Sequence, residues 1–259
     1  MFERLRAAGF DLLARNHAEA ILRGDFAPQT EELVEALLGF SIPAAELIAS
    51  GGGEAASTQR LRRRLAASGW RKHNFVLETK IDGAVRESIS HEIDHVRRAR
   101  RGVLALEIEW NNKDPFFDRD LENFQRLHAQ SVISVGVIVT RGAALQAGLR
   151  RIVASFVRGL GARDEAPLAA LGMKDRTRRQ REAVARAVAA GFPFADAFAR
   201  QFTADKYGPS TTHWAKLAER IDRGVGAPCP LLLAGLPLAA IRDASPPDEE
   251  PRLDLGEPG

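Results

Sequence analysis

The sequence is poor in the residues and patterns that mark several common protein classes. Cysteine occurs once, as Cys229, so an internal disulfide and a cysteine-based zinc site are both excluded. No run of 18 or more apolar residues occurs, which excludes a helical membrane span. The first residues, MFERLRAAGF, are charged and do not resemble a signal peptide. We therefore expect a cytoplasmic protein without membrane association. A phosphate-binding P-loop, a GxGxxG turn before a helix and a Ser-His-Asp arrangement are missing as well.

Length and charge fit a large domain with a polyanionic partner. The chain has 259 residues, 45% of them apolar, which is enough for a substantial core. Its net charge is +3, but residues 242–259 hold two Arg and six acidic residues, which leaves +7 for the rest. This basic body predicts a polyanion partner, although high Arg content is also typical of GC-rich genomes. The acidic, Pro-rich tail is predicted to be disordered.

Helical periodicity dominates both ends of the chain. The first helix is predicted to break near Asn16-His17, and Thr30 is the predicted N-cap of the second. Gly51–Gly53 is predicted to be a loop. The predicted helices cover residues 3–23, 30–39, 58–68, 118–128, 143–160 and 174–190.

The middle of the chain changes to strand patterns. Two alternating runs, Phe75–Ile81 and Val85–Val96, flank Asp82-Gly83 and predict a β-hairpin. Further strands are predicted over residues 102–110, 132–139 and 230–241. The order of elements predicts an α/β fold with a central mixed β-sheet flanked by helices.

Three carboxylates point to metal chemistry. Glu107 and Glu109 stand at i and i+2 on the strand 102–110, so they share one face, while the intervening residues are apolar. Asp94 lies near the end of the preceding predicted strand and can reach them. Acids this close together need a cation, and all-oxygen ligands suit Mg²⁺, Mn²⁺ or Ca²⁺. The alternative for two such glutamates is an ordinary solvated strand face.

Three other features have both functional and structural interpretations. The segment Lys206–Leu217, KYGPSTTHWAKL, suits phosphate and base-edge contacts, but also a capped helix with a buried Trp. The helix 58–68 carries four Arg that either face phosphates or form a solvated surface. His91 and His95 flank Asp94 and are expected behind the metal ligands or on the surface.

Five segments in order resemble type II restriction endonucleases of the BglII group, within the PD-(D/E)XK nuclease superfamily. They are NHAEAIL at 16–22, WRKHN at 70–74, EID at 92–94, LEIEWNN at 106–112 and VGVIVTRG at 135–142. The resemblance covers residues 16–157 well and is thin over 158–229. It implies a restriction-endonuclease-like core at about 70–160 with helical additions, within a single nuclease domain spanning 1–241, followed by the tail 242–259.

The resemblance implies roles for five residues. Asp94, Glu107 and the backbone carbonyl of Ile108 would hold the divalent metal, Mg²⁺ with Mn²⁺ as a substitute. Glu109 stands where the superfamily usually has Lys and the BglII enzyme has Gln, and it matches the arrangement of the related BamHI enzyme. It would serve as general base or as water orienter. Asn74 would help to position the attacking water, although it stands one residue further from Trp70 than the corresponding Asn does in the family.

The resemblance also implies a DNA-contacting surface. Asn111, Asn112 and Lys113 follow the metal strand, where the family contacts base edges, and these residue types suit adenine and guanine. Arg141 stands where the family has the Lys of its Thr-Lys-Gly element. Independently of the resemblance, the residue types of the hydroxyl-rich segment would add Lys206, Ser210, Thr211 and Thr212 to this surface.

The leading hypothesis is a sequence-specific, Mg²⁺-dependent double-strand endonuclease that acts as a homodimer on a short palindromic site. A cognate DNA methyltransferase is expected in the same system. The alternatives are a structure-specific or repair nuclease of the same superfamily, and a non-catalytic DNA-binding protein with a decayed site. The recognition sequence does not follow from the residues.

Overall fold

A computed structural model describes residues 1–49 and 55–242 of the protein. The predicted loop at Gly51–Gly53 and the predicted tail beyond Arg242 lie outside those residues. Within them, no helix has both the length and the apolar character that crossing a membrane requires.

One mixed sheet of six strands forms the centre of the fold. Its strands are β1 (Asp11–Arg15), β3 (Arg71–Ile81), β4 (Ala84–Ala99), β5 (Gly102–Glu109), β6 (Val135–Arg141) and β7 (Leu231–Leu236). They lie in the order β1-β7-β6-β5-β4-β3, with β5, β6 and β7 mutually parallel and the other pairs antiparallel. A short parallel pair joins β2 (Ile42–Pro43) to β8 (Ile241–Arg242). The predicted mixed α/β fold is confirmed.

Helices cover both faces of the sheet. They are α1 (Phe2–Ala7), α2 (Ala18–Gly24), α3 (Ala27–Leu38), α4 (Ala44–Ile48), α5 (Ala56–Ala67), α6 (Phe116–Ala129), α7 (Ala143–Gly159), α8 (Ala166–Ala170), α9 (Arg178–Ala189), α10 (Phe194–Lys206), α11 (Trp214–Asp222) and a 3₁₀ turn at Leu238–Ala240. Strand β6 is buried on both faces, as its apolar sequence predicts. Val137 and Val139 pack in the core that α7 completes, whereas Ile138 packs on the opposite side beneath α6 and α11.

The predicted hairpin is confirmed. Strands β3 and β4 pair from Arg71 to Val96, and the turn has positive φ at both Asp82 (50°) and Gly83 (80°). Two successive left-handed residues define a type I′ turn, whose twist matches that of the strands. The far end of the hairpin is exposed, since Val76 and Val85 keep about half of their surface.

The prediction of one helix over residues 3–23 is wrong. Helix α1 ends at Ala7, Gly9 takes a left-handed φ of 85°, and residues 11–15 form β1 at the edge of the sheet. Pairing with β7 supplies backbone hydrogen bonds that the local helix propensity does not. The predicted break at Asn16-His17 does exist, since both residues have positive φ before α2 begins.

The prediction of Thr30 as an N-cap is also wrong. Helix α3 begins at Ala27, and Thr30 is buried within its first turns. Its hydroxyl donates to the carbonyl oxygens of Phe26 and Leu22, which explains how a buried hydroxyl is satisfied there.

Helix α6 lies close to the sheet because Gly136 has no side chain. A methyl group at that position would collide with the ring of Phe124 on α6. This close packing places the buried face of α6 directly over β5 and β6. The segment 158–229 forms α8 to α11, of which α10 packs on α7. The assignment of residues 1–241 to a single domain stays a prediction.

Candidate active site

The two glutamates of β5 are buried side by side beneath α6. Glu107 and Glu109 each keep 3% of their surface, and they share the strand face of Ala105, which packs in the core under α6. The opposite face holds Leu104 and Leu106 in the other core. The prediction that β5 has one acidic and one apolar face is therefore correct. The acidic face is covered by α6, so the alternative of a solvated strand face is wrong.

Asp94 reaches this pair from the neighbouring strand. Its backbone N–H donates to Glu107 Oε1 at 3.4 Å, while its side chain is 55% exposed and lies 3.9 Å from Lys72 Nζ. The strand does not end at Asp94, because β4 continues to Ala99 and makes the antiparallel ladder with β5 beyond this point. That ladder is what fixes Asp94 beside Glu107.

A fourth acid, Asp120 on α6, was missed in the sequence. It is fully buried and lies within side-chain hydrogen-bonding range of Glu109. Its Oδ1 accepts from Arg119 Nε at 2.8 Å, whereas no donor in the described residues reaches its buried Oδ2. The available signal was an Asp on the apolar face of an amphipathic helix, three residues after Phe117 and four before Phe124.

Burial shifts the proton affinity of this cluster. It raises the pKa of Glu109 to about 9, and the charge of Asp120 is the next cause. Burial also raises the pKa of Glu107 well above its ordinary value, followed by the charges of Asp120 and Asp94. The pKa of Asp120 is raised by burial against the opposing effect of Arg119. Without a cation, the cluster therefore retains protons near neutral pH.

Among the described residues, Asn112 and Arg119 favour the ionised form of Glu109. Asn112 Nδ2 donates to Glu109 Oε2 at 2.7 Å, and Arg119 places Nη2 3.6 Å from Glu109 Oε1. The Arg119 side chain is 54% exposed and also lies over the ring of Phe116. One half-exposed guanidinium thus faces two buried carboxyl groups.

The residues present fit a hard divalent cation. Three buried carboxyl groups with raised pKa values, those of Glu107, Glu109 and Asp120, lie beside the exposed Asp94. Across residues 1–49 and 55–242, no group of three or more His, Cys, Asp or Glu side chains stands ready at ligand distances. Water and substrate oxygens would therefore complete the coordination of such a cation, as is usual for Mg²⁺.

Asn74 lies at the margin of this cluster. It sits on β3 opposite Glu92, and its side-chain oxygen accepts a hydrogen bond from Ser90 Oγ at 2.5 Å. Asn74 is thus one strand further from α6 than Asp94.

The two histidines that flank Asp94 are buried, so of their two expected positions the one on the surface is wrong, and the one behind the metal ligands stays a prediction. His91 Nδ1 lies 2.8 Å from Asn123 Oδ1, and His95 Nδ1 lies 3.3 Å from the carbonyl oxygen of Leu106. Burial lowers the pKa of His95 to about 4, so this ring is neutral at physiological pH.

The two predicted DNA-contacting segments form one surface. Thr212 N donates to the Asn112 carbonyl oxygen at 2.9 Å, and Asn112 N donates to Thr212 Oγ1 at 3.0 Å. Asp114 N donates to the Ser210 carbonyl oxygen at 3.1 Å. We call this surface the paired loops, residues 111–114 and 208–212. It begins directly after β5, so it adjoins the acidic cluster.

Arg141 lies beneath the paired loops and is fully buried. Its Nη1 donates to Asn111 Oδ1 at 2.5 Å and its Nη2 to Thr211 Oγ1 at 2.7 Å. The guanidinium also contacts the rings of Trp110 and Tyr207. Burial lowers the pKa of Arg141 to about 10, which leaves it charged at neutral pH. Arg141 therefore supports the two loops from below.

Lys206 does not face this surface, contrary to the prediction. Its Nζ donates to the carbonyl oxygens of Leu47 at 2.9 Å and Ala49 at 2.6 Å, next to the end of α4. Burial lowers the pKa of Lys206 to about 8. Arg60 of the basic helix α5 also has a partner within the protein, since it forms a salt bridge with Glu46 of α4 at 2.6 Å. Lys206 and Arg60 thus anchor helices.

The mixed sheet and the acidic cluster are consistent with a nuclease of the restriction-endonuclease class. The family model described as restriction endonuclease BglII/BglIII matches residues 10–236. The chain therefore belongs to this family, its role is that of a restriction nuclease, and its substrate is DNA. The match includes residues 158–229, where the resemblance in the sequence was thin. No curated protein matches the chain.

Proposed function

We propose that the protein is a sequence-specific endonuclease that cuts both strands of DNA and uses Mg²⁺, which Mn²⁺ can replace. The observation that carries this proposal is the cluster of the buried Glu107, Glu109 and Asp120 with the exposed Asp94, next to the paired loops. A buried set of acids without matching cations suits a divalent metal, and hydrolysis of a phosphodiester needs one.

Asp94, Glu107 and the carbonyl oxygen of Ile108 would hold the cation, which when bound lowers the pKa of water and stabilises charge on the phosphate. Glu109 is held by Asn112, and its raised pKa lets it retain a proton near neutral pH. Its ionised form would accept a proton from the attacking water or orient that water. Arg119, half exposed above Glu109, can donate hydrogen bonds to a phosphate oxygen.

DNA would lie along the paired loops. Asn111, Asn112 and Lys113 provide amide and ammonium groups next to the acids, and Ser210 and Thr211 provide hydroxyls. Thr212, contrary to the prediction, is fully buried, and its hydroxyl accepts a hydrogen bond from Asn112 N. Amide groups can bond adenine bidentately, and Lys can donate to guanine. Because Arg141 holds Asn111 and Thr211 together from below, we assign it to loop positioning rather than to base contact.

The cleavage test compares the parent with Asp94→Asn and with Glu92→Gln. Both acids lie on β4, are more than half exposed and lie within 4 Å of Lys72, but only Asp94 adjoins Glu107. The parent should cut phage DNA into discrete bands with Mg²⁺ and not with EDTA. Asp94→Asn should lose cleavage and keep its fold, while Glu92→Gln should retain activity. A smear would favour a structure-specific nuclease, and no cleavage under any condition would favour a non-catalytic binding protein.

Base reading is tested with Asn112→Ala, once a cognate duplex has been identified from the cut sites. A lost bidentate base contact is worth about 1–3 kcal/mol of discrimination, so affinity should fall for the cognate duplex and hardly change for a scrambled one. An equal loss on both duplexes would assign the residue to backbone positioning. Binding is measured without metal, because Asn112 also contacts Glu109 and would affect cleavage independently.

A homodimer on a palindromic site, with a cognate methyltransferase in the same system, completes the proposal. Two-fold symmetry of the protein would match that of the DNA, so each subunit would cut one strand. Sedimentation of the protein with and without the cognate duplex tests the stoichiometry of two chains to one duplex.

A further inference from the structure

Helix α9 is strongly basic and plays no part in the proposed site. Residues 174–190 carry six basic side chains and two acidic ones, which gives this segment a net charge of +4. Val184 is the buried residue of the helix, so most of the basic side chains face outwards. The helix packs on α10, which packs on α7, on the side of the sheet opposite to α6 and the acidic cluster. Its positive surface is therefore available to a partner other than the scissile phosphate.

A groove of about 560 Å³ between α9 and α10 concentrates part of this charge. Arg179 and Arg186 share a face of α9 and line the groove together with Gln180 and Gln201. The carboxylate of Asp205 accepts hydrogen bonds from Gln180 at 2.9 Å and from Gln201 at 3.2 Å. No carboxylate among the described residues forms a salt bridge with Arg179 or Arg186. This α9 groove thus offers two guanidinium groups without an acidic partner.

The acidic tail, residues 242–259, complements the α9 groove in charge. It contains six acidic residues and two Arg, and three of the acids are consecutive at Asp248–Glu250. Leu253 and Leu255 follow this acidic run. In the same order, the Arg residues of α9 are followed by Phe192, whose surface is 54% exposed. Acidic and apolar groups of the tail therefore have counterparts along α9.

The tail also begins within reach of α9. Arg242 pairs with Pro43, which directly precedes α4. At the other end of α4, Ile48 lines a cavity together with Arg176, two residues before α9. An extended chain spans about 3.3 Å per residue, so the segment from Arg242 to Asp248 covers about 20 Å. That exceeds the length of α4, which is about 7.5 Å, so the acidic run can arrive at the start of α9.

The competing surface and the competing partner are both less favourable. Helix α5 is the other basic helix, but Arg60 forms a salt bridge with Glu46, and the charge of Arg64 acts on Glu35. DNA is the other polyanion that α9 would attract. The tail belongs to the same chain, however, and its effective concentration near α9 is of about millimolar order. A weak electrostatic contact therefore suffices to hold it there.

We propose, independently of the nuclease assignment, that the acidic tail docks in the α9 groove of its own chain, with Asp248–Glu250 against Arg179 and Arg186. Docking would neutralise this face of the protein and keep other polyanions off it. The tail would thus act as a built-in competitor for DNA at α9.

Disulfide trapping in the whole chain tests this proposal. Pro251→Cys in the tail is combined with Ala183→Cys, because Ala183 lines the groove, while the natural Cys229 is buried. Mild oxidation should link the two positions within one chain, as identified by mass spectrometry of the digested monomer. Pro251→Cys with Ala129→Cys, at an exposed position on α6, measures random collision, and Ala67→Cys, exposed on α5, tests the other basic helix. The link at Ala183 should form about tenfold faster than either, and 1 M salt should remove this advantage.

A neutralised tail separates charge-driven docking from chance contact. Asp248→Asn, Glu249→Gln and Glu250→Gln together should slow the link at Ala183 to the rate at Ala129, and the groove thiol itself is unchanged. Ala190→Cys, at the exposed end of α9, replaces Ala183→Cys if that variant does not fold.

Four results would overturn the proposal. They are a link at Ala183 no faster than at Ala129, a faster link at Ala67, a link that joins two chains, and a rate that the neutralised tail leaves unchanged. DNA as the occupant is tested separately with Arg179→Gln and Arg186→Gln together. If this variant of the parent loses about tenfold in affinity for a scrambled duplex, the groove belongs to DNA and the docked tail is ruled out. None of these results bears on cleavage by the acidic cluster.

Discussion

The raised pKa of Glu109 predicts how the stability of the metal-free protein depends on pH. An ordinary Glu has a pKa of 4.5, whereas Glu109 has a pKa of about 9 in the folded protein. Between these values, the folded state retains a proton that the unfolded state has lost. The stabilising contribution is therefore complete below pH 4.5 and disappears as the pH rises towards 9.

The size of this effect follows from the same shift. The loss is about 1.4 kcal/mol for each pH unit in this range, so about 4 kcal/mol between pH 5 and pH 8. Glu109→Gln carries no titrating group and escapes the loss. The unfolding free energy of Glu109→Gln relative to the parent should thus rise by about that amount over the interval.

Urea unfolding in EDTA at pH 5, 6.5 and 8 measures this difference directly. Titrations of groups that do not interact with Glu109 cancel, because they are common to parent and variant. Glu107 and Asp120 do interact with Glu109, so their titrations contribute to the measured difference. Glu122→Gln serves as the control, since Glu122 lies on the same helix as Asp120 but is exposed and pairs with Arg126. Parallel pH profiles for the parent and Glu109→Gln would refute the reasoning, because they would show that the buried carboxyl group has an ordinary pKa.

Three other substitutions test the packing and the loop assignments. Gly136→Ala should lower the unfolding free energy, measured by urea titration, by about 1–3 kcal/mol, because its methyl group collides with Phe124. An unchanged unfolding free energy would contradict the close approach of α6 to the sheet. Arg141→Met should lower it by about 2 kcal/mol, because hydrogen bonds from a charged group to both loops are lost, and should accelerate proteolysis within residues 208–212. Lys206→Met should change DNA affinity less than about twofold in a direct binding assay, because the Lys206 ammonium group is bound to backbone carbonyl oxygens. A tenfold loss of affinity would show that Lys206 contacts DNA after all.

Local signals predicted the centre of the fold well. The turn at Asp82-Gly83, the apolar face of β5 and the fully buried β6 each depend on short-range patterns that have few alternative structures. Strand β1 was missed because its residues, DLLAR, are good helix formers, and its strand conformation depends on pairing with β7 more than 200 residues away. Long-range pairing of this kind leaves no mark in the local periodicity.

The residues of the candidate site that lie on strand β5 were predictable from the sequence, whereas Asp120 on helix α6 was not. Glu107 and Glu109 share a face by the geometry of a strand, so their proximity follows from their spacing alone. Asp120 joins them only because α6 lies close over β5, a packing that depends on Gly136 and Phe124. The prediction that Lys206 contacts DNA was wrong because it depended on residue type alone, and Lys suits phosphates. The actual partners of Lys206 are the carbonyl oxygens of Leu47 and Ala49, far away in the sequence.

The strand order sets a condition on how the chain can fold during its synthesis. Strand β7, residues 231–236, pairs with β1 on one side and with β6 on the other. It is synthesised about 90 residues after β6, so β1 and β6 both lack this partner until then. Until that segment leaves the ribosome, β1 has no sheet partner and β6 exposes an unpaired edge. A ribosome-bound chain that stops before residue 231 therefore holds the acidic strand in an unfinished sheet. Completion of the central sheet therefore requires that residues 231–236 have been synthesised.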